Sequence, residues 1–209
     1  MKKSNVTAEE IIPEQKTGSY TGATATVELN SRNEAVELFK VAKSRLLNIN
    51  NWDEYSGAAS ATFELTDSNG KGISAPPQTR NLIRIDVPGP GTFAGQGFDW
   101  VCIEAIEDGS DPDAENEFFA FRVRPAKNPD ASDDAPSHFY TDDATSTFII
   151  ERNGNTVSAS EKGRNEESNT ETGNILDKAR NVIVATGAKN GAAYPQWKSL
   201  MEGLLKMEE

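Results

Sequence analysis

Most apolar residues of this chain alternate with polar ones in short runs separated by turn-rich loops, the period-2 pattern of strands with one face on a core. Over 24–29, Ala25, Val27 and Leu29 fall on one face and Thr24, Thr26 and Glu28 on the other. Ala61, Phe63 and Leu65 alternate with Thr62, Glu64 and Thr66, and Ile83, Ile85 and Val87 with Arg84 and Asp86. Phe119, Phe121 and Val123 alternate with Ala120, Arg122 and Arg124. The run 100–106 is apolar except at Glu104, which suits a strand covered on both faces.

The clearest local element is a hairpin over 145–164, TSTFIIERNGNTVSASEKGR. Asn153-Gly154 lies between two β-favouring runs and suits a type I′ turn, whose central residues both need positive φ. A turn there pairs Arg152 with Asn155. Ile150 then faces Val157 and Phe148 faces Ala159 on an apolar side, with Ile149 facing Ser158 and Glu151 facing Thr156 on a mixed one. With these two strands the chain has seven.

Helical periodicity brackets the strands. Ser31 and Glu34 have capping-box spacing. Ala35, Leu38, Phe39, Ala42, Leu46 and Ile49 follow on one stripe, with Lys40, Lys43 and Arg45 in the half where the helix dipole favours cations. The segment 50–57 (NNWDEYSG) closes this helical region with two aromatics. After Arg164, Asn174 caps a stripe of Ile175, Leu176, Ala179, Val182 and Ile183 that stops at Gly187. Pro195 then suits a first helical position, and Trp197, Leu200, Met201, Leu204 and Leu205 form an amphipathic face that should pack on the sheet. Residues 1–22 are polar and broken by Pro13 and Gly18, so they read as a tail with a helical turn over 8–12; residues 23–209 read as a single α+β domain.

The stretch TATVELNSRNEAVELFKVAKSRLLNINNWDEYSG, 24–57, resembles the opening strand, helix and Trp-containing turn of the START/Bet v 1-like (SRPBCC) superfamily, with Trp52 where such chains often carry a tryptophan. QWKSLMEGLL, 196–205, is similar to the tail of that superfamily's closing helix. The resemblance implies the helix-grip fold: an antiparallel sheet of about seven strands wrapped on a C-terminal helix that closes a cavity. It brings no functional residue, because the superfamily has no universal catalytic motif. One departure is visible: the closing helix reads as two, broken over 187–191. The residues alone give α+β, with an antiparallel sheet and helices on one face.

The chain has 209 residues, enough for one well-cored domain, and a net charge of -12. That charge argues against nucleic acid or anionic membrane as a partner. No segment has the apolar h-region of a secretory signal or the ~18–20 apolar residues of a membrane helix, so a cytoplasmic setting is expected. Cys102 is the only cysteine and His138 the only histidine, which excludes an internal disulfide and a His/Cys zinc site. Cys102, inside DWVCIEAI, reads as a buried strand residue.

Candidate chemistry is sparse. The glycine-rich run 88–97, PGPGTFAGQG, leads into a strand and lacks GxGxxG and GK[ST], so it reads as a strand connection rather than a phosphate cradle. Asp111, Asp113, Glu115 and Glu117 alternate as in calcium loops, but Pro112 interrupts them and the EF-hand glycine is missing; no metal is assigned. A second acidic cluster, Asp130, Asp133 and Asp134, precedes His138 in the loop 125–143. The polar stretch 161–166, where the hairpin runs out, could line a pocket mouth. The candidate ligand-binding residues are Trp52, Tyr55, Trp100, His138, Tyr140 and Arg164, with no catalytic residue and no cofactor assigned.

The expected function is a non-enzymatic binding domain for a small apolar ligand or a protein partner. The alternatives are a structural or assembly subunit of a larger complex, and a cyclase-like or hydrolytic enzyme centred on His138, which requires that side chain to point into a pocket.

Overall fold

A computed structural model describes residues 7–57, 61–86, 97–131, 137–169 and 193–207. Within them the alternating runs form seven strands: β1 (Ser19–Glu28), β2 (Thr62–Thr66), β3 (Leu82–Asp86), β4 (Asp99–Gly109), β5 (Asn116–Pro125), β6 (Thr145–Asn153) and β7 (Thr156–Glu166). They make one antiparallel sheet in the order β1-β7-β6-β5-β4-β3-β2. The helices are α1 (Arg32–Leu47), α2 (Trp52–Ser56) and α3 (Ala193–Leu204). The expected helix over 174–187, the glycine-rich run apart from Gly97, and Asp133 and Asp134 lie outside the described residues.

Period-2 alternation sends one set of side chains from every strand to a common inner face. Ile103, Phe121, Phe148 and Ile150 there meet Leu46 of α1 and Leu200 of α3 in one core. α1 starts where the capping box places it: Ser31 Oγ accepts from the Glu34 amide at 3.3 Å, and Glu34 Oε2 accepts from the Asn30 amide at 3.1 Å. Trp52 is fully buried, donating its indole N–H to the Leu46 carbonyl at 3.0 Å, with its ring centroid 4.9 Å from that of Phe148 and 5.2 Å from that of Phe63. Side chains of this size each stabilise the fold by about 2–3 kcal/mol through burial. The last helix lies tightly over α2, because Gly203 has no side chain: a Cβ there would stand 2.0 Å from the Tyr55 carbonyl oxygen. Arg45 of α1 donates to the Gly203 and Leu204 carbonyls at 3.4 and 3.2 Å, satisfying acceptors that the end of α3 leaves open.

The hairpin turns one residue later than Asn153-Gly154. Gly154 and Asn155 are the turn residues, so Asn153 pairs with Thr156, Ile150 with Ala159 and Phe148 with Glu161. The cause is tertiary. Gly154, at φ +58°, donates its amide to the Glu115 carbonyl at 3.0 Å, while buried Arg152 donates to the carbonyls of Ala114, Glu115 and Gly154 at 2.7, 3.1 and 3.1 Å. These bonds fasten the turn to the loop 110–115 and select the register in which glycine is the first central residue. Each partner moves by two residues, so the two faces keep their composition. The consequence is that Glu161 comes opposite Phe148 on the inner face.

One expected loop is also shorter. Much of 107–117 is strand, since β4 runs to Gly109 and β5 begins at Asn116. Part of the expected tail is structured: β1 begins at Ser19, and a 3-10 turn, Ala8–Ile11, buries Ala8 and Ile11 against Ala120 and Ile149 on the outer face. Arg122 bonds the Ile11 carbonyl and, with Arg124, pairs with Glu104. Burial raises the Glu104 pKa, but these two guanidiniums more than offset it and hold the carboxyl below its ordinary range.

Candidate functional site: an apolar cavity with an acidic end

Sheet and helices do not close completely on one another. Between them lies a cavity of about 70 Å³. Trp52, Phe63, Phe148 and Trp197 form its aromatic wall, with the Trp197 ring centroid 5.3 Å from that of Phe148 and 6.0 Å from that of Phe63. Thr21, Ser146, Glu161, Glu166, His138 and Tyr140 are polar residues along the rest of its lining.

Strand geometry explains how two glutamates enter this space. Val157, Ala159 and Glu161 share the inner face of β7, and Glu161 pairs with Ala23 of β1 and Phe148 of β6. Strict alternation would turn Glu166 outward. A register shift between Ser19 and Thr21 of β1, opposite 163–166 of β7, reverses the parity. Asn165 sits at this irregularity with φ +55°, a conformation asparagine tolerates better than most residues. Its side chain holds the chain before β1: Oδ1 accepts from the Lys16 amide at 2.7 Å and Nδ2 donates to the Glu14 carbonyl at 3.2 Å. Glu166 then reaches the cavity, where Thr21 Oγ1 donates to its Oε1 at 2.8 Å. Gly163 leaves the room, since a Cβ there would stand 2.3 Å from Glu166 Oε1 and 2.5 Å from Thr21 Oγ1.

The segment 137–141 supplies the other polar groups. It is tied to the exit of β7 by the Asn169 amide, which donates to the Phe139 carbonyl at 2.8 Å, and by the Thr141 amide, which donates to the Glu167 carbonyl at 3.0 Å. His138 is buried against Phe139, ring centroids 4.2 Å apart. Its Nδ1 accepts from the Tyr140 amide at 3.0 Å, a bond that assigns the proton of the neutral ring to Nε2.

Electrostatics at this end are unusual. Glu161 is 1% exposed, and neither carboxyl oxygen makes a hydrogen bond of normal geometry. Burial first, and then the neighbouring Glu166, push its pKa up to about 8; Ser146, Lys162 and Arg164 pull weakly the other way. Burial, followed by the charges of Glu166 and Glu161, also raises the Tyr140 phenol well above its ordinary range.

Trp52, His138 and Tyr140 thus meet at one cavity. Tyr55, Trp100 and Arg164 lie away from it. Tyr55 packs on the core edge with the Arg45 guanidinium 5.9 Å from its ring centroid. Trp100 is buried on β4 at a position that alternates with the inward Val101, and Arg164 places its guanidinium 5.8 Å from the Tyr20 ring centroid. Of the stretch 161–166, Glu161 and Glu166 line the cavity. Neither is among the candidate residues: Glu161 shares the parity of Val157 and Ala159, a signal that could have found it, whereas the inward turn of Glu166 depends on the irregularity at Asn165. Cys102 is only half-buried, and burial followed by the charge of Glu104 raises its pKa.

In the acidic loop, Glu117 is committed to Arg152, with Oε1 2.7 Å from Nε, while Asp111 Oδ1 accepts from the Asp113 amide at 3.2 Å. Among the described residues no group of three or more His, Cys, Asp or Glu side chains is arranged to hold a metal ion, and no helix is long and apolar enough to cross a membrane.

No family model and no curated protein matches the sequence. Solved structures do resemble it. A hypothetical protein from Helicobacter pylori matches 98% of this chain over 97% of its own, at 14% identity and a TM-score of 0.48. Norcoclaurine synthase from Thalictrum flavum, in complex with dopamine and hydroxybenzaldehyde, matches 91% over 90% at 8% identity and a TM-score of 0.41. A START superfamily protein from Mycobacterium smegmatis matches 90% over 99% at 10% identity and a TM-score of 0.35. At these identities no residue role transfers. The antiparallel seven-stranded sheet with a C-terminal helix packed against it is the helix-grip α+β architecture that the sequence resemblance implies.

Proposed function

We propose that this chain is a binding domain whose cavity takes a small, mainly apolar ligand. The observation that carries the reading is the cavity itself, walled by four aromatic rings inside the core and edged by buried polar side chains. Protein interiors pack with few voids larger than a water molecule, and ligand sites combine an apolar wall with a few fixed polar groups. The expected ligand places a ring or short aliphatic body against Trp52, Phe148 and Trp197, and a polar group toward Glu161.

The test is a titration with benzyl alcohol followed by saturation-transfer NMR, on the native chain and on Val123→Phe, which fills the cavity from β5. Saturable binding by the native chain that Val123→Phe abolishes supports the reading. Absent or non-saturating binding, or binding that survives the substitution, contradicts it.

A second reading, acid–base catalysis, is supported by the placement of His138: the side chain is buried and lines the cavity together with Tyr140, Glu161 and Glu166. Recovery of bound compounds unchanged favours binding alone; conversion of a bound compound that stops in His138→Gln favours catalysis.

A further inference from the structure

We propose that the acidic end of the cavity receives the protonated nitrogen of a small apolar amine, with Glu161 as the group that faces the cation. The inference rests on the cavity being a ligand site and names the class of ligand it selects.

Leaving a buried acceptor without a partner costs about 1–3 kcal/mol, and more for a charged one. Glu161 is close to this position: neither oxygen makes a hydrogen bond of normal geometry, Ser146 beside it only partly offsets its burial, and the residue lines the cavity. The chain's own cations do not fill the role. Lys162 and Arg164 alternate with the inward residues of β7: Lys162 Nζ lies 3.3 Å from Thr24 Oγ1 and the Arg164 guanidinium lies over Tyr20. Among the described residues lining the cavity there is no Lys or Arg.

The second carboxylate is brought to the same end of the cavity by the fold. Gly163 gives up its side chain where Glu166 enters, and the irregularity at Asn165 turns Glu166 inward onto Thr21. Burial and the like charge of Glu166 disfavour ionisation of both acids together. A cation offsets both. A neutral acceptor, by contrast, takes one proton from one carboxyl and does nothing for the like-charge repulsion between the two acids. An ammonium on a ring or short chain fits the whole lining, because its body stays on the aromatic wall while its N–H groups reach the acids.

Proton linkage follows. The charged and titratable groups acting on Glu161 are Glu166, Tyr140, Lys162 and Arg164, with His138 lining the same cavity and the uncharged Thr21, Ser146 and Phe148 beside it. With its pKa up at about 8, Glu161 is held neutral at pH 7, so a cation that favours its ionised form expels a proton on binding.

The experiment compares benzylammonium, benzyl alcohol and benzoate, one body with three head groups, by calorimetry in two buffers of different ionisation enthalpy. It is run at about 1 M salt, where the Debye length is about 3 Å and attraction to the acidic surface is screened. Benzylammonium is expected to bind at least about tenfold more tightly than the alcohol, a difference of about 1.4 kcal/mol, with proton release and with benzoate weakest. Glu161→Gln is expected to bring amine and alcohol within about twofold and to end the proton release. Equal binding of alcohol and amine by the native chain, or tighter benzoate, overturns the amine assignment while leaving the cavity as a ligand site. Failure of all three overturns both. If Glu161→Gln does not fold, the head-group ratio of the native chain still decides.

Discussion

Glu161 is a carboxylic acid buried at the edge of the cavity, and its raised pKa ties stability to pH. Its folded value, about 8, lies above its ordinary value of 4.5, so the unfolded chain releases this proton first as pH rises. Between those values the native state holds more protons, and stability falls with increasing pH at up to about 1.4 kcal/mol per unit before levelling off above 8. Denaturant unfolding from pH 5 to 9 is expected to show this decline in the native chain and a flatter profile in Glu161→Gln. Equal slopes would mean that the group titrates normally. Gly163 gives a second test at the same scale. A methyl there meets Glu166 Oε1 and Thr21 Oγ1, so Gly163→Ala is expected to cost about 1–3 kcal/mol and to weaken amine binding more than alcohol binding. Unchanged stability and an unchanged amine-to-alcohol ratio would show that Glu166 needs no room there.

Among the elements, the β6–β7 hairpin shows what a sequence can and cannot specify. Alternation correctly placed Phe148, Ile150, Val157 and Ala159 on one face, because any shift of pairing by two preserves parity. The turn was misplaced, because the bonds that select it come from Arg152 and Glu115 and span the loop 110–115. Arg152 and Glu117 are both almost fully buried, which no local pattern announced. Breaking such a pair leaves an uncompensated charge: Arg152→Met is expected to cost about 3–5 kcal/mol, and joint Arg152→Met and Glu117→Leu to recover part of it. A single substitution costing under 1 kcal/mol in chemical denaturation would contradict the clamp. The α2–α3 crossing offers a cleaner steric case. Gly203→Ala drives a methyl into the Tyr55 backbone, and a loss of about 1–3 kcal/mol is expected, measured as a lower unfolding midpoint. An unshifted midpoint would mean that α3 can slide.

At the scale of the molecule, element order was legible because alternating runs, one continuous apolar run and the helical stripes that bracket them leave few ways to cover one sheet face. The site was legible only in part. Trp52, His138 and Tyr140 meet at the cavity, whereas Trp100 and Arg164 stand at positions whose parity turns them to the outer face, and Tyr55 packs beside α1. Glu166 depended on one positive-φ asparagine, a feature of three-dimensional strain that no hydrophobic pattern encodes. The resemblance implies a cavity, but which side chains line it is visible only once sheet and helices are set against each other.

Three tryptophans make that cavity directly observable. Trp52 and Trp197 line it and Trp100 does not, so the three indole N–H resonances of the 15N-labelled protein, assigned by single Trp→Phe substitutions, report on it separately. Titration with benzyl alcohol is expected to shift the Trp52 and Trp197 signals along one saturating curve and to leave Trp100 in place. Movement of Trp100 alone, or of none of the three while the ligand still binds, would place the binding site elsewhere on the molecule.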